Sequence, residues 1–384
     1  MTLNKIIKFP TRALLNWYEK NKRDLPWRKT KDPYKIWLSE VMLQQTQVRT
    51  VIPYYQRWLE RLPTIQDIAV ASEHKVLKLW EGLGYYNRCH NFQKAAQLVC
   101  MQYNGKVPDQ PEPFLKLPGV GPYILSAVMS IAFKRVLPVV DGNVLRVVSR
   151  YIELWDDIRK SATQKKVYQM LLDLICKNNP GDFNQAVMEL GALVCTPKNP
   201  TCLSCPLKKT CQAKEKGSVG SLPVRTRKKK IPLYKVALAV ILKNDKFLIQ
   251  KRPTSGHLAG MWEFPGGKLE ADESTEQAVT RECHEELDVS VKIIRKLKKV
   301  KHAYTHFKIE LNIFICRLSS STVKARQNQP IRWIGLDEMN QYPFPAANYK
   351  FFKELVAVLE KVTLETSAGN RHTGKIFYSE RTKK

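Results

Sequence analysis

The chain lacks any long apolar run. Across its 384 residues nothing reaches the ~20 consecutive apolar positions that a membrane-spanning helix needs, and the most apolar stretch, Ile124–Phe133, is short and interrupted by serines. No membrane role is expected. The amino terminus, Met1-Thr-Leu-Asn-Lys-Ile-Ile-Lys, has neither an apolar core nor a small-residue cleavage site, so nothing is expected to direct the chain to secretion. Its nine cysteines then read as reduced thiols. Internal repeats are absent, and so is charge balance: 35 Asp and Glu stand against 64 Lys and Arg, a formal net charge of +29. On a chain with 8 Trp and 15 Tyr to build folded cores, that excess predicts a polyanionic partner, nucleic acid before an anionic membrane surface.

The length suits two domains, each able to bury its own core. From about Ile6 to Val194 apolar residues recur at helical spacing, as in Val41, Val48, Val51, Ile52, Tyr55 and Leu59, which predicts an all-α first domain over 1–213. Residues 214–232 lose that period, gain Gly217, Gly220, Ser221 and Pro223, and run into Arg225-Thr-Arg-Lys-Lys-Lys, the signature of a basic linker. Beyond it the period changes. Lys235–Leu242 and Lys246–Lys251, separated by Asn244-Asp245, predict a strand hairpin and Lys308–Leu318 a further strand; with helices over 274–287 and 346–361, residues 233–362 form an α+β second domain. The polar, basic stretch 363–384 is expected to be a disordered tail.

Cys195, Cys202, Cys205 and Cys211 form a run, C-x6-C-x2-C-x5-C, too tight for anything but one metal centre. Four soft thiolates hold zinc or an iron–sulfur cluster equally well, and spacing alone leaves both open. The other five, Cys89, Cys100, Cys176, Cys283 and Cys316, read as small buried hydrophobes. Upstream, the glycines of Leu117-Pro-Gly119-Val120-Gly121 permit a tight turn between helices, with Pro122 opening the next and amides free to grip a phosphate. Further on, the apolar run Val136–Val140 ends at Asp141, placed to cap a helix that begins near Asn143. In this order the motifs resemble the helix-hairpin-helix DNA glycosylases that carry a 4Fe–4S cluster, and within them the adenine DNA glycosylases of the MutY type.

The resemblance extends to Trp37-Leu-Ser-Glu40-Val-Met-Leu43-Gln-Gln45-Thr46, which is similar to the first catalytic helix of that family. It implies Glu40 as the general acid that protonates adenine, an otherwise poor leaving group, and Asp141 as the carboxylate that stabilises or traps the cationic sugar, oriented by Asn143. Trp27, Arg28, Leu43 and Glu189 are implied to wall the adenine pocket. Related enzymes that also cut the backbone carry a lysine two residues after the second hairpin glycine; Tyr123 stands there, which implies hydrolysis without lyase chemistry. Gln45, Thr46, Leu83 and Tyr85 are implied to brace the gap left when the base is flipped out. The implied partner is double-stranded DNA with A:8-oxoguanine or A:G mispairs, bound by a monomer at the cytoplasmic nucleoid. The implied cofactor is a 4Fe–4S cluster on the four cysteines, a structural clip whose loop offers Lys198, Lys208 and Lys209 to phosphates.

In the second domain, Gly267-x5-Glu273-x7-Arg281-Glu282-Cys-His-Glu285-Glu286-Leu-Asp288-Val fits the Nudix box except at Asp288, where glycine is usual. Glu282, Glu285 and Glu286, at i, i+3 and i+4, are expected to share a helix face that could hold Mg²⁺. Trp262-Glu-Phe-Pro-Gly-Gly-Lys and Phe344-Pro-Ala-Ala-Asn348 resemble the MutT type of pyrophosphatase, the asparagine reading an oxidised purine, while Arg332 stands where that type carries another metal-binding glutamate. His302-Ala-Tyr304-Thr305-His306-Phe307 resembles the loop with which adenine glycosylases touch 8-oxoguanine. A lesion-reading module is the preferred expectation. The alternatives are a pyrophosphatase for oxidised nucleotides, alone or beside the glycosylase, and an endonuclease III-like glycosylase/lyase, which Tyr123 opposes.

Overall fold

The computed structural model describes residues 9–226, 231–253, 256–304, 306–319, 323 and 329–367. Helices α1 (Thr11–Asn21), α2 (Pro33–Leu43), α3 (Val48–Arg61), α4 (Ile65–Val70), α5 (Glu73–Trp80), α6 (Asn87–Tyr103), α7 (Pro111–Leu115), α8 (Pro122–Phe133), α9 (Gly142–Tyr151), α10 (Ser161–Leu174), α11 (Pro180–Leu193) and α12 (Gln212–Glu215) precede the first strand. Strands β1 (Leu233–Lys243), β2 (Lys246–Lys251), β3 (Trp262–Glu263), β4 (Gly266–Lys268), β5 (Val291–Ala303), β6 (Lys308–Leu318) and β7 (Ile331–Ile334) follow, with α13 (Thr275–Leu287) and α14 (Phe352–Ser367). The chain divides into two compact units, 1–71 with 91–228, and 72–90 with 229–384.

The first unit holds helices and no strand among its described residues, and the second takes α5 from within 72–90. Residues Val41 to Leu59, read from the sequence as one amphipathic stripe, are two helices: α2 ends at Leu43, Gln45 takes a left-handed φ of 57°, and α3 starts at Val48. Helix α2 is buried on almost every side, from Tyr34 to Met42, because its sequence is apolar all round. Asp32 caps it by accepting the Tyr34 amide at 2.9 Å, and Pro33 occupies the first turn, where no amide hydrogen is missed. Glycines let α11 pack closely: a Cβ on Gly181 would stand 2.8 Å from the Ser130 carbonyl oxygen, and one on Gly191 would stand 2.7 Å from Cβ of Asn143. The first half of the expected linker is held to this unit, with the Ile158 amide donating to the Val224 carbonyl at 3.2 Å and Arg150 Nε to the Leu222 carbonyl at 3.0 Å.

In the second unit the sheet runs β3-β2-β1-β6-β5, with β4 paired to β1 and β7 to β2. The expected hairpin is present, Leu242 opposite Phe247 and Lys243 opposite Lys246, and β1 also pairs in parallel with β6 along its whole length. Both faces of the sheet are covered, which is why β1 is buried continuously from Ala237 to Leu242. Leu238, Val240 and Leu242 pack with Phe264, Phe344, Phe351 and Leu355 on one side; Ala237, Ala239 and Ile241 pack with Ala278, Val279, Cys283 and Leu287 of α13 on the other. Asp288, the departure from the Nudix box, closes α13 at φ 55°, the left-handed position that usually selects glycine. Two differences from the sequence reading concern α14 and its approach. Pro345 to Phe351 turn back through a short 3-10 segment, the Asn348 amide donating to the Pro345 carbonyl, so the helix begins at Phe352 rather than 346. It also continues through 363–367, where a disordered tail was expected; residues 368–384 of that tail lie outside the described residues.

Candidate active site

Three helix ends meet around a cavity of about 190 Å³ in the first unit, lined among others by Trp27, Arg28, Glu40, Leu43, Thr46, Tyr123, Asp141, Asn143 and Glu189. Glu40, near the end of α2, is 5% exposed, and its Oε2 accepts the Tyr123 hydroxyl at 2.6 Å. Burial pushes its carboxyl up to about 7, helped by the nearby Asp141 charge and opposed by Tyr123 and Arg28. Asp141 caps α9: Oδ1 accepts the Val144 amide at 2.7 Å and Oδ2 the Asn143 side-chain amide at 3.0 Å. Burial raises this carboxyl as well, against those hydrogen bonds. Glu40 can therefore carry a proton near neutral pH, while the donors on Asp141 oppose the rise at its neighbour.

Glu189, on α11, is buried and bonded from several directions. Arg28 donates from both terminal nitrogens, at 2.9 Å each; Arg23 donates from Nε at 2.9 Å, from Nη2 at 2.7 Å and from its backbone amide at 2.9 Å. Burial alone would raise the Glu189 carboxyl, but the two arginines outweigh it and hold it at about 2. Arg28 in turn lies over the buried Tyr18 ring, 5.4 Å from its centroid. Arg23 and Gln185 line the cavity without having been anticipated from sequence; Arg23 sits in a basic run, Lys20 to Lys29, that gives no sign which cation turns inward.

A further unanticipated residue is Arg146, buried on α9. Its Nη2 donates to Asn143 Oδ1 and to the Gly191 carbonyl, both at 2.7 Å, and its Nε to the Cys195 carbonyl at 2.7 Å. One turn on, Arg150 Nη1 lies 3.4 Å from Cys195 Sγ and 2.7 Å from the Thr196 carbonyl. The hairpin is formed as expected. Gly119 has a φ of 77° with no room for a side chain, a Cβ there standing 2.9 Å from Cβ of Asn91; Leu117 and Val120 turn inward, and Gly121 begins α8 with no side-chain cap. Gln45 and the hairpin residues do not line the cavity.

The four cysteines of 195–211 are half-buried free thiols. Burial and then the proximity of Cys195, Cys211 and Cys202 push Cys205 up to about 11. Soft sulfur donors gathered in one loop beside a guanidinium fit a thiolate-bound metal centre in kind. As they stand, no three His, Cys, Asp or Glu side chains among the described residues form a group that could hold a metal ion.

The same holds for the carboxylates of α13, of which Glu282 and Glu285 lie together as their spacing predicts, both accepting from Arg281 Nη1, at 3.1 and 2.9 Å. Glu282 and Glu286 turn toward the Gly266–Gly267 backbone, Glu286 accepting the Gly266 amide at 2.9 Å and Gln250 Nε2 at 2.8 Å, whereas Glu285 is exposed and paired with Arg281 at 2.9 Å. Burial, with Glu263 and Glu282 beside it, raises Glu286 to about 7. Asn348 is 3% exposed. Tyr304 is half-buried among His257, His302 and Phe307, with ring centroids 4.7 to 5.0 Å apart, and His306 is exposed; Thr305 lies outside the described residues. Leu83 is buried and Tyr85 is partly exposed at a φ of 51°.

Comparison with known proteins agrees with this architecture. The model for the HhH-GPD superfamily of base excision DNA repair proteins matches residues 38–172, and that for the NUDIX domain matches 236–354. An adenine DNA glycosylase of Rattus norvegicus is 35% identical over 89% of this chain and 77% of its own length. The chain belongs to the adenine DNA glycosylase family. The adenine DNA glycosylase of Homo sapiens is 33% identical over 89% of the chain and 73% of its own length, and that of Buchnera aphidicola (Acyrthosiphon pisum) 31% identical over 87% and 94%. Among solved structures, a thermostable thymine-DNA glycosylase superposes with a TM-score of 0.50 at 30% identity, covering 54% of this chain and 95% of its own. Like its family, the chain is a DNA-binding glycosylase of base excision repair. No helix among its described residues is long and apolar enough to cross a membrane.

Proposed function

We propose that the chain, as a monomer at the nucleoid, hydrolyses the N-glycosidic bond of adenine mispaired with 8-oxoguanine or guanine in duplex DNA. The observation that carries this reading is the buried Glu40 carboxyl, raised to about 7, bonded to Tyr123 and facing the same cavity as Asp141. Glu40 gives its proton to the everted base. Asp141, oriented by Asn143, shields the positive charge that grows on the sugar. Trp27, Arg28, Leu43 and Glu189 shape the pocket, and because Tyr123 presents a hydroxyl and no amine, no Schiff base forms and strand scission waits for alkali. Gln45, Thr46, Leu83 and Tyr85 fill the space beside the estranged base, while the amides of 117–121 hold phosphate. The four cysteines would hold a 4Fe–4S cluster, which supplies a structural clip for the loop carrying Lys198, Lys208 and Lys209. We take the domains as 1–213, 233–362 and a connecting 214–232.

The test is base release from duplexes carrying A:8-oxoguanine, A:G and thymine glycol, scored before and after alkali, together with iron and sulfide analysis. Adenine release revealed only by alkali supports the proposal; scission without alkali, or action on thymine glycol alone, overturns it.

The second unit is read as the part that recognises 8-oxoguanine, through Tyr304, Thr305, His306 and Asn348. A second reading, Mg²⁺-dependent hydrolysis of oxidised nucleoside triphosphates, has one observation in its favour. Burial raises Glu263, Glu282 and Glu286 alike, Glu282 adding to the rise at Glu263 and both of these to the rise at Glu286, an arrangement that a cation would relieve. Turnover of 8-oxo-dGTP with Mg²⁺ by the whole chain, abolished in Glu282→Gln, would establish that reading.

A further inference from the structure

Glu81 is an acidic residue where burial is hardest to explain. It ends α5, is 8% exposed, and its carboxylate is fully engaged: Oε1 accepts the Phe344 backbone amide at 2.9 Å and the Tyr349 hydroxyl, and Oε2 accepts Lys78 Nζ at 2.8 Å. Lys78 also donates to the Tyr342 carbonyl at 3.1 Å, and the His74 ring stands edge-on to Tyr342. Taking a carboxylate out of water is unfavourable until hydrogen-bond partners replace the solvent. An apolar contact would join these segments at lower cost, so the geometry fixed by the carboxylate is the distinguishing feature.

What it joins are two loops proposed to meet the estranged purine. On one side Glu81 is followed at once by Gly82-Leu83-Gly84-Tyr85. That loop is stiff: Trp80 Nε1 donates to the Gly84 carbonyl at 3.0 Å, the Gly82 amide to the Tyr86 hydroxyl at 3.1 Å, and Gly82, Gly84 and Tyr85 all hold positive φ. A shift at residue 81 is therefore passed to Leu83 and Tyr85 rather than absorbed. On the other side, Phe344 and Tyr349 bracket Asn348, and the segment is tied to β3 by the Trp262 amide donating to the Pro343 carbonyl at 2.9 Å.

We propose that Glu81 is a positioning residue for lesion discrimination. It sets the register between the 82–86 loop and the 343–349 loop so that both address the same oxidised purine opposite the adenine. The proposal rests on the reading that the second unit recognises 8-oxoguanine, and its test separates the two. Single-turnover base release by the iron-loaded full chain is measured on A:8-oxoguanine and A:G duplexes for wild type, Glu81→Ala, Glu81→Gln, Tyr349→Phe and Tyr304→Ala, with thermal melts alongside.

The expected result is that Glu81→Ala lowers the ratio of the two rates by about tenfold, the size of one lost buried interaction. Glu81→Gln keeps an oxygen for the Phe344 amide and Tyr349 hydroxyl, and should stay within about threefold of wild type. If Tyr304→Ala erodes the ratio while Glu81→Ala leaves it unchanged, the coupling is wrong and the lesion reading stands. If neither changes it, the lesion reading falls and the proposal with it. Should Glu81→Ala fail to fold, Tyr349→Phe decides: a fall of about threefold supports the coupling, and an unchanged ratio overturns it.

Discussion

Glu40 and Glu189 are both buried carboxyls facing one cavity, yet their environments drive them in opposite directions. Glu40 meets one hydroxyl and a neighbouring acid and rises to about 7; Glu189 meets two guanidinium groups and falls to about 2. For Glu40 the folded value lies above the ordinary 4.5, so its contribution to stability is complete below pH 4.5 and lost as pH rises through about 7. Glu40→Gln should therefore be more stable than wild type at pH 8, by up to about 3 kcal/mol, and equal to it near pH 4.5, in denaturant titrations. The same variant should lose single-turnover activity by orders of magnitude while keeping mismatch affinity; equal loss of both would point to misfolding. Glu189 has the reverse sign. Its contribution is present above 4.5 and lost as pH falls through about 2. Arg28→Ala, which leaves that buried carboxylate with Arg23 alone, should cost about 3 kcal/mol in urea titrations at pH 7. Glu40, Asp141, Asn143 and Glu189 were legible in the sequence because each sits in a recognisable local string. Arg23 was not, since its role depends on a partner 166 positions away.

Helix α9 places Asp141, Asn143, Arg146 and Arg150 on one short rod, so the cavity at its start and the cysteine loop along its side share a support. Arg146→Met keeps the bulk and removes the donors to Asn143, Gly191 and Cys195. It is expected to lower both iron content per chain and the single-turnover rate, the latter by about tenfold or more. Normal activity with normal iron would show that the α9 contacts do not orient Asn143. The elements themselves were unevenly legible. Strands β1, β2 and β6 and helix α13 announce themselves by period and by a Ser274 cap, but β5 does not. Its exposed residues Lys292, Arg295, Lys296, Lys299 and Lys301 obscure the apolar alternation, and two irregularities against β6 shift the register partway along. Such cations guard an open sheet edge against further strand pairing. The α2–α3 break was hidden for another reason: four residues, Gln44 to Gln47, interrupt the helix without a glycine or proline to mark the place.

A formal net charge of +29 makes the whole molecule a polyelectrolyte partner for DNA, and its affinity should fall linearly in log–log form with salt. Replacing Lys198, Lys208 and Lys209 together by glutamine should weaken binding to matched and mismatched duplexes alike and flatten the salt slope by about 2 to 3; an unchanged slope would remove the cysteine loop from the phosphate-contacting surface. The two-domain organisation was legible from composition because the change of period coincides with the glycine- and lysine-rich stretch. The first half of that stretch is also anchored. Arg150 reaches both Cys195 and the Leu222 carbonyl, so one guanidinium clasps the cysteine loop and the segment leaving the first unit. Any event that unravels 195–211 would also pay out slack in the tether, diluting the second unit's local concentration around DNA. On the reading that the second unit recognises the lesion, damage at the sulfurs would then register in lesion choice as well as in chemistry.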